Sequence, residues 1–277
     1  MLARDREAAG SVLGGAIAFR LFLFVVPFVL LLVGLAGFME RQLDEEQLES
    51  AGIAGTIAAQ IDAAVTQPDS ARWLAIGLGL VGMVSTGRTL SKVLAQSSCL
   101  AWRVPVRARP SARLIGTMIG LFIGVGLVAV VVNSLRLHFG VGAASASFAV
   151  AAALYAGAWM VLSGLLPHPT SDPGVLVPGG LIVGIALAGM QAVSQLYLPR
   201  RFASASQLYG ALGITVVTLG WFFIAARAMV MSFVVDAVVY ERFGSVSRVV
   251  FALPVLRRLP SRWPQIGRVF QLDEDRG

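Results

Sequence analysis

Five ionisable side chains fall inside long apolar stretches of the chain: Arg20, Arg88, Lys92, Arg227 and Asp236. Charge at membrane depth is costly, and where it occurs it pairs with other groups or marks the path of an ion or substrate. Four cations so placed could hold an anionic group such as a lipid phosphate without transforming it. Ser85, Arg88, Lys92 and Gln96 recur at three- and four-residue spacing, so on a helix they form one polar stripe. Gln191 and Gln195 form a second. Such stripes face a bundle interior or a watery cavity. The alternative is snorkelling, in which long Arg and Lys stems carry their charges to the inner headgroups. Asp236 cannot meet Arg227 along its own helix, because nine residues at about 100° each put the two on opposite faces. Any partner it has lies on another helix.

Catalytic chemistry has little to draw on. The two histidines, His138 and His168, fall in different loops, and no His, Asp and Glu cluster has metal-ligand spacing. Gly87-Arg88-Thr89 lacks the upstream glycine of a phosphate-cradling loop, and no serine has a histidine base on a plausible element. Cys99 reads as a small apolar filler and, being the only cysteine, forms no internal disulfide. The expectation is a protein that is not an enzyme and uses no metal or cofactor.

The elements that must position these groups follow from composition. Of 277 residues 57% are hydrophobic and 13% charged, and the mean hydropathy is +0.79. A soluble domain carries about 25% charged residues, so lipid must solvate much of this chain. A bilayer core of roughly 30 Å takes about 20 helical residues. Six stretches qualify: 11–38, 73–102, 114–132, 147–166, 175–198 and 208–240. The first is too long for a signal-peptide core and lacks a small-residue cleavage pattern, so it reads as a retained span. The fold expected is all-α: a six-helix membrane domain over 1–240, an acidic external loop over 39–72 and a basic tail over 241–277.

Orientation follows from Lys and Arg outside the spans. With both termini in the cytoplasm, thirteen arginines lie inside and five (Arg41, Arg72, Arg136, Arg200 and Arg201) outside. On that topology Arg20 lies about 13 Å into the membrane, and all four buried cations favour the inner half.

Helix association in lipid depends on close backbone approach through small residues. Gly116, Gly120 and Gly124 make a double GxxxG, Gly180 and Gly184 lead into Ala188, and Ser145, Ala149, Ala153 and Gly157 offer a matching face. These contacts serve either the bundle or a homo-oligomer. Pro27 kinks the first span. Ile53, Ile57, Ile61 and Val65 predict an amphipathic helix on the outer surface. In the tail, Arg242, Arg248, Arg257, Arg258, Arg262 and Arg268 alternate with apolar and aromatic residues. That mixture could bind RNA, but beside a membrane it is expected to lie on anionic headgroups. Membrane lipids, including an anionic lipid as substrate, are the expected partners; nucleic acid is not.

Several passages resemble one family. Ala18-Phe19-Arg20-Leu21-Phe22-Leu23-Phe24-Val25-Val26-Pro27, Pro178-Gly179-Gly180, Tyr197, Leu208-Tyr209-Gly210-Ala211 and Trp221 occur in the order and spacing of the YihY/BrkB family. Arg20 stands where many members have an aromatic, and Phe24 where many have serine. Where the family often has Gly-Ala-Glu-Leu-Asn, this chain has Ser232-Phe233-Val234-Val235-Asp236, so Val234 replaces the glutamate and Asp236 takes the asparagine position. The resemblance implies a multi-pass protein of the bacterial cytoplasmic (inner) membrane, linked to envelope integrity, serum resistance and lipid export. The family's old label as a tRNA-processing ribonuclease finds no His-rich metal motif here. Transport or flipping of an anionic lipid or amphipathic solute is the function expected; a non-transporting membrane scaffold is the alternative.

Overall fold

The computed structural model describes residues 10–39, 69–105, 146–170, 172–209 and 211–245, together with 115–117, 119, 120 and 124. Among these, every regular element is helical: α1 (Gly10–Met39), α2 (Asp69–Trp102), α3 (Ala146–Gly164), α4 (Val177–Tyr209) and α5 (Ala211–Phe243). All five are long and apolar enough to cross a membrane. The third expected span, 114–132, lies mostly outside the described residues, and those of its residues that are described are helical. Residues 40–68, on which the expected external amphipathic helix falls, lie outside the described residues, while 69–72 of the expected loop belong to α2; the tail beyond Ser245 also lies outside them.

Helix ends are set by local chemistry. Arg103 takes a positive φ of 53° after α2, and the Val104 N–H reaches back to the Cys99 carbonyl at 3.0 Å, the six-to-one closure of a Schellman end. Gly244, with φ 74°, ends α5 by donating to the Tyr240 carbonyl at 3.0 Å. Before α4 comes a 3-10 turn, Pro173–Leu176, whose N-cap Asp172 accepts from the Gly174 N–H at 2.8 Å. Proline is suited to such starts because its missing N–H would have no helical partner there.

Two expected boundaries differ. α4 does not stop near Leu198 but continues as helix through Pro199, Arg200 and Arg201 to Tyr209. Its apolar window closes at Ser194, so the last turns extend beyond the length a bilayer requires. α5 accordingly begins at Ala211 rather than Leu208 and runs to Phe243.

Glycine sockets bring the helices together. A Cβ on Gly82 would stand 2.7 Å from Pro27 Cβ, and one on Gly79 would stand 2.9 Å from the Leu31 backbone. Gly87 faces the Phe24 ring. These contacts make α1 and α2 an antiparallel pair. Gly180 lies on Met160, and Gly184 on Ala152 and Ala156, which pairs α3 with α4. α5 packs on α1, α2 and α4, and half of its apolar window is buried. Its Ala226, Val230, Phe233 and Val234 join Ile17, Leu21, Leu90, Trp159 and Val183 in the main core. Large apolar side chains such as Val12, Phe19, Val26, Leu74 and Val81 point outward, the surface a lipid solvent favours and water would not.

The rotation of α3 corrects the expected small-residue face. Ala152 and Ala156 meet α4, whereas Ala149, Ala153 and Gly157 are exposed. The aromatic side chains set this rotation. The Tyr155 O–H donates to Gln191 Oε1 at 2.7 Å and the Trp159 Nε1–H to Ser232 Oγ at 2.9 Å. A buried indole or phenol needs such a partner, and meeting both fixes which face of α3 turns inward. Gly116, Gly120 and Gly124 have no described residue within 4 Å of where a Cβ would be.

Candidate functional site

The α1–α2 register fixes the depth of the cations. With Gly79 on Leu31, Gly82 on Pro27 and Gly87 on Phe24, Arg88 and Lys92 come level with Ala18–Leu23, the stretch that contains Arg20. Three cations thus share a depth. They do not share a face. Arg20 falls on the same helical stripe as Pro27 and Leu31, the α2 side of α1, and is half-buried. Ser85, Arg88, Lys92 and Gln96 are all exposed, on the side of α2 opposite its buried Leu90, Val93, Leu94 and Ser97. The stripe is real, but it faces away from the bundle.

Arg227 sits at another level and on another face. Its aliphatic stem rests on Gly14 of α1, where a Cβ would be 2.9 Å from Arg227 Cδ. A side chain at Gly14 would displace it. The four cations therefore do not converge on one cavity among the described residues.

Asp236 is buried, at 1% exposure, and its partner is backbone. Oδ1 accepts the Gly179 N–H at 2.6 Å, and the carboxylate lies against the Gly179 Cα, where a Cβ would be 2.7 Å from Asp236 Cγ. The first N–H groups of a helix have no intrahelical acceptor and carry the positive end of its dipole. Asp236 thus caps α4 from across the bundle. Glycine is required at 179 because any side chain would occupy the volume of the carboxylate.

Gln191 is engaged by Tyr155 and so joins α3 to α4; the side chain of Gln195 lies outside the described residues. Gly180 and Gly184 carry the α3–α4 contact. Sequence reasoning gave no packing or capping role to Gly14, Gly179 or Ser232. Only Pro178-Gly179-Gly180 carried a signal: two glycines just inside a helix start cost conformational freedom unless something approaches closely.

Helices of spanning length, an outward apolar surface and a charge-bearing outer stripe define an integral, multi-pass α-helical membrane protein. The chain belongs to the family described as virulence factor BrkB, whose model matches residues 1–249. This is the family the sequence resembles. No curated protein and no solved structure matches the chain.

Proposed function

We propose that the protein binds an anionic lipid headgroup laterally, in the inner leaflet of a bacterial cytoplasmic membrane, and moves that lipid as part of envelope maintenance. The observation that carries this reading is the exposed face of Ser85, Arg88, Lys92 and Gln96 on α2. It is bordered by outward Leu78, Val81 and Leu100, a lipid-facing neighbourhood. A cation presented to acyl chains costs about 3 kcal/mol, and a lipid phosphate offsets that cost while its own tails cover the apolar border. An outward stripe favours a ligand that arrives within the bilayer over a soluble solute, which would need an interior route. The positive-inside bias supports placing the stripe in the inner leaflet.

The test uses wild type and the R88Q/K92Q variant in vesicles of phosphatidylcholine with a minority of phosphatidylglycerol. Each phosphate contact is worth about 1 kcal/mol, so retention of phosphatidylglycerol should weaken about 30-fold, with slower translocation of a labelled analogue. Equal retention and translocation in both proteins would sink the proposal. Retention that is lost in the variant, with a wild type that binds but moves no lipid, would leave binding without transport, the scaffold alternative.

A further inference from the structure

Two buried side-chain oxygens have no hydrogen-bond partner among the described residues: Ser163 Oγ on α3 and Asp236 Oδ2 on α5. Buried polar groups nearly always find partners, so each orphan needs a reason. Their positions are related. α4 runs antiparallel to α3, as Gly180 on Met160 and Gly184 on Ala152 require. α5 follows α4 after one intervening residue and returns to place Asp236 on Gly179. α3 and α5 therefore run in the same direction. At one level they are joined by the bond from Trp159 to Ser232. One turn further along both helices come Ser163 and Asp236, each four residues on and on the same stripe as its predecessor. A long indole spans the gap at the first level. At the second level come two short side chains, and neither Ser163 Oγ nor Asp236 Oδ2 reaches a partner.

We propose that Ser163 and Asp236 form a buried proton-binding site, with the proton on the carboxyl and one water between the two side chains. The water gives Ser163 Oγ and Asp236 Oδ2 the bonds the protein does not supply, as buried waters commonly do. Protonation forms one O–H bond at the carboxylate from a hydronium ion and releases water; deprotonation reverses it. A metal ion fits less well. Hard cations take about six or more oxygen ligands, and two orphan oxygens are present; the positive end of α4 on the Oδ1 side also opposes a cation.

The surrounding ionisable groups are few. The first half of α4 has none. Asp172 is bonded to Gly174, and His168 Nδ1 meets the Leu166 carbonyl at 2.7 Å. α2 ends near Cys99 and Arg103, and Tyr240 lies one turn on along α5, with its ring against Trp102. Because Oδ1 holds the start of α4, the charge on Asp236 sets the strength of that hold. Proton binding there is coupled to the α4–α5 contact. The site stands independently of the lipid reading and is tested without any lipid transport.

The experiment is an infrared pH titration of the full chain in phosphatidylcholine nanodiscs, comparing wild type, D236N and S163A. Wild type should show a protonated-carboxyl band that comes and goes with pH and moves in heavy water. D236N keeps an acceptor for Gly179 and should lack the band; S163A should keep it at a shifted frequency. If D236N fails to give monodisperse protein, the S163A shift decides. A wild-type spectrum identical to D236N at every pH overturns the proposal, as does an unshifted band in S163A. Removal of the band by sodium at fixed pH would likewise overturn it, assigning a metal ion instead.

Discussion

Replacing Gly179 by alanine tests the cap on α4 most directly, because two effects of opposite sign compete at that position. The new methyl would stand 2.7 Å from Asp236 Cγ and 2.8 Å from Oδ1. Ordinary carbon contacts lie near 3.5 Å, so the carboxylate must retreat by roughly 1 Å and its 2.6 Å bond to the Gly179 N–H is lost. Such a bond is worth about 0.5–1.5 kcal/mol to a neutral carboxyl and about 1.5–3 to a carboxylate, and leaving the buried groups without it costs about 1–3 kcal/mol. Against that, alanine is a better helix former than glycine by about 1 kcal/mol. The loss wins: G179A should destabilise the protein by about 1–3 kcal/mol. In a D236A background the carboxylate is gone, and the same substitution should be neutral or stabilising by up to about 1 kcal/mol. Unfolding in detergent micelles followed by tryptophan fluorescence, for the four proteins of this double-mutant cycle, should give a coupling of about 1–4 kcal/mol. An equal effect of G179A in both backgrounds would refute the cap.

Two further outcomes follow from the packing. G184A drives a methyl into Ala152 O and to 2.8 Å from Ala156 Cβ. It should cost about 1–3 kcal/mol in the same unfolding assay, whereas G157A, with no described residue within 4 Å of the new methyl, should gain up to about 1 kcal/mol. S232A removes the acceptor of the Trp159 Nε1–H; the orphaned donor should cost about 1–3 kcal/mol and shift tryptophan emission, while an unchanged stability and spectrum would show that Trp159 is satisfied elsewhere.

Helices were legible wherever hydropathy alone decides them, as at α1, α2 and α5. Rotation was not. On α3, alanines and a glycine at four-residue spacing suggested the packed face, yet Tyr155 and Trp159 chose it, because in an apolar solvent their polar tips must be met and a methyl group has no such demand. The polar stripe on α2 was readable from spacing, but its direction was not: periodicity says which residues share a face and nothing about what that face meets. The cap on α4 was hidden for a third reason. Gly179 and Asp236 are 57 residues apart, and the acceptor's partner is a backbone N–H, which every residue but proline possesses. Gly87 illustrates the same point from the other side. Beside Arg88 it drew attention as part of a phosphate loop, whereas its use is to admit the Phe24 ring.

The sockets on α2 have a mechanical consequence. With Gly79, Gly82 and Gly87 each seated on a bulky group of α1, sliding one helix along the other by a single residue would drive a side chain into backbone, so the pair resists shear. Gly180 and Gly184 impose the same restraint on α3 and α4. The described helices thus include two pairs that are each stiff against sliding, and α5 touches both. Asp236 fastens α5 to the start of α4, and Arg227 rests it on α1 through Gly14.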